Sequence, residues 1–131
     1  MIDCLILGDS IAVGTGLQRP ECRLIAKSGI NSWQWVNSNV DKSPYIANTV
    51  IISLGSNDYK GINTEEELRT IRKLTKGTVY WILPANKKDI RDIVFKIANE
   101  YHDHVVKIAD VSADGVHPTA KGYKMISEQT K

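Results

Sequence analysis

Short apolar runs alternate with helix-periodic segments along almost the whole chain, and this alternation limits the possible folds more than any other feature. Cys4-Leu5-Ile6-Leu7 reads as a first strand, and residues 10–18 can form a helix behind it. A second strand is expected over 22–27. A helix is expected over 32–40, where Trp33, Val36 and Val40 recur at spacings of three and four. Thr49-Val50-Ile51-Ile52-Ser53-Leu54, apolar and rich in β-branched residues, is the most strand-like run and the third strand. Thr64 is read as the N-cap of a helix with its capping-box acid in Glu65-Glu66-Glu67. That helix carries Leu68, Ile71 and Leu74 on one face and stops at Gly77. Residues 78–83 form a fourth strand closed by Pro84, and 88–101 a helix with Ile90, Val94, Ile97 and Tyr101 in register. A fifth strand at 104–108 and a helix at 118–129, opening at Pro118, complete the series. Repeated strand-helix units favour a parallel sheet covered on both faces, so the expected fold class is a five-stranded, flavodoxin-like three-layer α/β/α domain.

The boundaries between these units hold the residues with chemical potential. Gly8-Asp9-Ser10 falls where the first strand turns into a helix, which would expose the Ser10 hydroxyl at the sheet's C-terminal edge beside free backbone N–H donors. Ser28-Gly29-Ile30-Asn31 follows the second strand, and Gly55-Ser56-Asn57-Asp58 ends the third. Asp114-Gly115-Val116-His117-Pro118 lies close to the C-terminus. Each segment alone is ordinary turn chemistry: a turn glycine, a left-handed asparagine, or a turn ahead of a helix starting with proline. Together they put a serine, a glycine, an asparagine and an Asp/His pair at strand ends, which are the parts acyl transfer requires. The pentapeptide Gly-x-Ser-x-Gly of α/β-hydrolases does not occur.

In order and spacing these four segments resemble the sequence blocks of the SGNH hydrolase superfamily, the GDSL-type esterases and lipases, and the resemblance spans nearly the whole chain. It implies Ser10 as nucleophile, His117 as general base and acid, and Asp114 as the group that orients the imidazole. It also implies an oxyanion hole made by the backbone N–H groups of Ser10 and Gly29 and the side-chain amide of Asn57. Glycine at position 29 is expected to leave room for the backbone to approach substrate. The sequence departs from the family in two ways: it is short, and Asn31-Ser32-Trp33 stand where a second glycine often follows the block-two glycine.

The connections after the third and fourth strands are brief and polar, Asp58-Tyr59-Lys60 and Asn86-Lys87, which favours an open site over a lidded apolar one. A polar substrate carrying a small acyl group, such as an acetylated carbohydrate, suits that site better than a fatty ester. Trp33 and Tyr59 could stack on a sugar ring, and Asp9 and Asp58, flanking Ser10 and Asn57, join them as expected substrate contacts. The same machinery could serve a thioesterase, a lysophospholipase or an acyltransferase. A non-catalytic glycan-binding module is a reading from another class, disfavoured because every block residue is present. A flavodoxin-type flavin or nucleotide binder is disfavoured by the acidic Asp9 and the lack of a glycine-rich phosphate loop.

The 131 residues suit one domain, with no repeat or linker, and neither a bilayer-spanning run nor a signal peptide is evident ahead of the first strand. The expected location is therefore cytoplasmic, or released without such a signal. A net charge of +2 gives no reason to expect nucleic acid or membrane as a partner. No cofactor is called for. His102 and His104 alternate along a strand start without a third ligand and are read as surface residues, so no metal is expected. Cys4 and Cys22, the two cysteines, fall in expected buried strands and are read as reduced structural residues rather than as a disulfide. Oligomeric state leaves no mark in the sequence.

Overall fold

Five parallel strands form one sheet in the order β2-β1-β3-β4-β5: β1 (Cys4–Gly8), β2 (Arg23–Ala26), β3 (Tyr45–Ser53), β4 (Thr75–Leu83) and β5 (His104–Lys107). The structure is a computed structural model describing residues 2–131. Helices α1 (Ser10–Gln18), α2 (Ser32–Asn39), α3 (Thr64–Lys73), α4 (Lys88–Tyr101) and α5 (Ala120–Gln129) connect or follow the strands, with a short 3₁₀ turn at Val40–Lys42. This is the flavodoxin-like doubly wound α/β/α sandwich expected from the alternation.

Strand side chains alternate between two cores. Leu5, Leu7, Val50, Ile52, Val79, Trp81 and Leu83 pack with Trp35, Leu68, Ile71, Val94 and Ile97, so α2, α3 and α4 cover that face. Ile6, Ile51, Ile82 and Val106 point to the other side, where Ile11 and Ala12 of α1 and Ile126 of α5 cover them. The central strands are thus apolar on both faces, the pattern of a fully covered parallel sheet. No helix among the described residues is long and apolar enough to cross a membrane.

The two cysteines overturn an expectation. β2 begins at Arg23, not at Cys22, and pairs with β1 in the register Leu5↔Arg23. One step back along both strands brings Cys4 and Cys22 to a Cα separation of 4.8 Å, and their sulfurs form a disulfide. An apolar-run reading treats each cysteine as a small hydrophobe. The parallel register, absent from local sequence, turns them into cross-strand neighbours.

Several boundaries move for similar reasons. Leu74 is the C-cap of α3 and β4 starts at Thr75, so Gly77 lies inside a strand, close against the carbonyl of Ala47, instead of stopping a helix. β3 starts at Tyr45 because Tyr45 and Ile46 pair with Thr75 and Lys76, and an irregularity between Ile46 and Thr49 shifts the register before the pairing resumes at Thr49↔Thr78. Asn63, not Thr64, caps α3 by accepting from the Glu66 N–H. Thr119 caps α5, and Pro118 stays outside it, bridging to Val111.

Candidate active site

Ser10, Gly29, Asn57, Asp114 and His117 all lie beyond the C-terminal ends of strands, around the point where β2 and β3 leave β1 on opposite sides. Such a switch point opens a crevice in doubly wound sheets. Gly8, the last residue of β1, makes the start of α1 possible. A Cβ on Gly8 would stand 1.9 Å from the carbonyl oxygen of Ser53, so only glycine lets β1 end this tightly against β3. The chain then turns, with the Asp9 N–H donating to the Ser53 carbonyl at 3.0 Å. Asp9 caps α1 through the Ile11 N–H, leaving Ser10 as the first helical residue with its N–H among the helix's free donors.

His117 reaches Ser10 from a loop fastened by its own backbone. The Ser112 N–H donates to the His117 carbonyl and the Thr119 N–H to the Asp110 carbonyl. Within it Asp114 Oδ1 accepts from the N–H groups of Val116 and His117 and from the Ser112 hydroxyl, while Oδ2 lies 2.7 Å from His117 Nδ1. The imidazole hydrogen bond, followed by the two backbone donors, holds the Asp114 carboxyl well below the usual carboxylate range. An ionised carboxylate can only accept, so Nδ1 carries the ring proton. In the neutral imidazole Nε2 is then left as acceptor for the Ser10 hydroxyl, 2.8 Å away. Both loop side chains are substantially exposed, 50% for Asp114 and 41% for His117.

Helix packing keeps the two halves of this pair together. Arg19, at the C-cap of α1, is nearly buried and donates from Nη1 to the carbonyls of Ser127 and Thr130 and to the Thr130 hydroxyl. That ties α1, which starts with Ser10, to α5, which follows His117. Nothing in the local sequence distinguishes Arg19 from a solvated arginine, so this role is visible only in the fold.

On the opposite wall Gly29 has φ +82°, and an added Cβ there would meet nothing within 4 Å. The glycine is therefore required by its left-handed backbone and not by crowding from the protein. Asn57 donates from Nδ2 to the Ile30 carbonyl at 3.0 Å, which joins the asparagine loop to the glycine loop and leaves its second amide hydrogen uncommitted.

Asp9 and Asp58 are not where substrate contacts should be. Asp9 is fully buried, and burial pushes its carboxyl up to about 6, against the pull of hydrogen bonds from Ile11 and Ser53. Asp58, 2% exposed, accepts from the Ser32 N–H and hydroxyl and from the Thr64 hydroxyl, pinning the first turns of α2 and α3 together. Lys87 Nζ donates to the Asp58 carbonyl from the far side. Asn31 is likewise structural, forming a capping box with Gln34 that the pattern Asn31-Ser32-Trp33-Gln34 signals in sequence. By contrast Trp33 and Tyr59 are 56% and 66% exposed.

A hollow of about 760 Å³ lies between the loop after β3 and the start of α4, lined by residues that include Tyr59, Lys60, Lys87 and Ile90. A second, of about 480 Å³, adjoins it through Tyr59, Ile62 and Asn63 and is walled by Trp33, Glu66 and Glu67. Ser10, Asp114 and His117 line neither, so the polar relay stands at an open edge with these hollows to one side.

By sequence the chain matches no family model and no curated protein. By structure it is similar to several solved proteins. A candidate acylhydrolase from Bacteroides fragilis superposes with a TM-score of 0.71 at 18% identity, covering 97% of this chain and 83% of that one. The C-terminal catalytic domain of peptidoglycan O-acetyltransferase A from Streptococcus pneumoniae, solved with a methylsulfonyl adduct, gives 0.62 at 18% identity over 96% of this chain and 88% of the other. Phospholipase A1 from Streptomyces albidoflavus gives 0.68 at 13% identity, covering 98% and 99%. With this strand order and these neighbours, the chain has the fold of the SGNH hydrolases, the GDSL-type esterases and lipases.

Proposed function

We propose that the chain is a serine esterase of the SGNH superfamily that removes short acyl groups through an acyl-enzyme. The observation that carries this reading is the unbroken relay from the Ser10 hydroxyl through both nitrogens of His117 to the Asp114 carboxylate. In the proposed reaction Ser10 Oγ attacks the ester carbonyl while His117 Nε2 takes the hydroxyl proton, and Asp114 stabilises the resulting imidazolium. The tetrahedral oxyanion is held by the N–H groups of Ser10 and Gly29 and by the free amide hydrogen of Asn57. Collapse breaks the ester C–O bond, and His117 returns its proton to the departing alcohol. Water, deprotonated by His117, then attacks the acyl-Ser10 carbonyl, releasing the acid and restoring the serine.

The finer reading is an acetyl ester on a carbohydrate. The relay's exposure favours a bulky acceptor that cannot enter a closed pocket, and the exposed rings of Trp33 and Tyr59 offer it stacking surfaces. The neighbours do not choose between substrates, since their names include both a peptidoglycan O-acetyltransferase and a phospholipase. Hydrolysis of p-nitrophenyl esters from acetate to decanoate, run beside Ser10→Ala, tests the proposal. Rates should fall with chain length and disappear in the variant. Preference for long chains would move the reading to lipid esters, and activity that survives in Ser10→Ala would end the serine mechanism.

A further inference from the structure

The 480 Å³ hollow between α2, the loop after β3 and α3 has a lining that the esterase chemistry leaves unused. Its volume lies within the range of small-molecule sites. Two of its walls are aromatic side chains more than half exposed, Trp33 and Tyr59. An indole and a phenol left open together at one sheet edge give up burial that the fold had available, since Trp35, two residues from Trp33, is completely buried. Asn63, Glu66 and Glu67 supply the polar wall, and the buried Oε2 of Glu67 has no hydrogen-bond partner among the described residues. That oxygen is closed off inside the wall, so Glu67 meets the groove through its other atoms.

Charge narrows the ligand. Two carboxylates line the groove and no lysine or arginine does, so a uronate or phosphate-bearing chain would meet like charge. A neutral sugar meets none, can lay its C–H face on the rings, and can donate hydroxyls to the acids and to Asn63. Position fits as well: Trp33, in the first turn of α2, stands four residues beyond Gly29, and Tyr59, in the loop after β3, two beyond Asn57, so both rings lie next in the chain to the candidate oxyanion donors.

We infer that the groove walled by Trp33, Tyr59 and Glu67 is a subsite for a neutral pyranose residue of a glycan chain. The inference rests on the esterase reading only in taking this sugar to be the acyl acceptor. Binding is measured on Ser10→Ala, which needs no turnover, by titration calorimetry with xylotetraose, cellotetraose and N-acetylchitotetraose, and with tetragalacturonate as the acidic counterpart. At least one neutral tetramer should bind saturably and at least tenfold more tightly than the acidic one. Ligand should also shift the fluorescence of exposed Trp33, because Trp35 and Trp81 are buried at 0% and 1% exposure. Adding Trp33→Ala or Tyr59→Ala should weaken binding at least tenfold, and Glu67→Gln several-fold, with circular dichroism checking the fold. No saturable binding of any neutral tetramer, equal binding of the acidic one, or affinity untouched by both aromatic truncations would overturn the inference. Failure of the parent reading shows separately, as wild-type protein inert toward p-nitrophenyl acetate whatever the calorimetry gives.

Discussion

At the scale of single residues the relay's geometry sets unequal costs for its members. Asp114→Asn keeps the shape but replaces an acceptor that fixes the Nδ1 proton with an amide able to donate to it, which favours the wrong tautomer. A loss in kcat of about 10³ to 10⁴ is expected for such a tautomer error, with little change in unfolding midpoint because the side chain is half exposed. Asn57→Ala removes one proposed oxyanion donor, for which kcat should fall about 10² to 10³. It also deletes the 3.0 Å bond to the Ile30 carbonyl, so a rise in KM would trace to a loosened glycine loop. Steady-state kinetics on p-nitrophenyl acetate separate these effects. If Asn57→Ala matches wild type, the asparagine serves only to tie the loops.

Elements hold those residues in place through two ties that are remote from the chemistry. The Cys4–Cys22 disulfide closes a loop containing α1 and joins the start of β1 to the approach to β2. Restricting a loop of this length in the unfolded chain is worth about 3 kcal/mol, so reduction, or Cys4→Ala with Cys22→Ala, should lower unfolding free energy by about 2 to 4 kcal/mol in urea titrations. A reducing agent that leaves the urea midpoint unchanged would refute the cross-link's contribution. Arg19 is the second tie. Replacing it with methionine keeps the aliphatic stem and strands the carbonyls of Ser127 and Thr130, at a cost of about 1 to 3 kcal/mol. Hydrogen exchange should rise first in α5, the element that this arginine anchors.

For the whole molecule, Asp9 makes stability depend on pH. Its carboxyl lies at about 6 in the fold against 3.8 outside it, chiefly because burial disfavours the charge. A group whose folded pKa is raised adds stability that is complete below pH 3.8 and is lost as pH climbs through 6. That shift corresponds to about 3 kcal/mol against the folded state at neutral pH. Asp9→Asn keeps an oxygen for Ile11 and Ser53 but cannot ionise. The variant should therefore gain about 2 to 2.5 kcal/mol on wild type between pH 4 and pH 7 in paired denaturation curves, since the unfolded carboxyl is already more than half ionised at pH 4. A difference that stays flat with pH would show that Asp9 is not ionising inside the fold.

Local sequence determined the order of the elements, because period-2 and period-3.6 apolar spacing is a property of neighbours along the chain. Runs such as Thr49-Val50-Ile51-Ile52 can bury their side chains only as covered strands. It also put Ser10, Gly29, Asn57, Asp114 and His117 in segments that follow strands, and in a parallel sheet the turns that follow strands share one edge. The tertiary structure decided what depends on register and burial. It joined Cys4 to Cys22, buried Asp9 and Asp58 as fasteners of helix N-termini, and set Gly77 inside β4. It also turned Arg19 inward onto α5, and gathered Trp33, Tyr59 and Glu67 around one groove. Cys4 and Cys22, Arg19 and Thr130, and Trp33 and Glu67 are all far apart in the chain. A side chain's partner across a sheet or between helices is fixed by strand pairing and helix packing, which no local window of sequence contains.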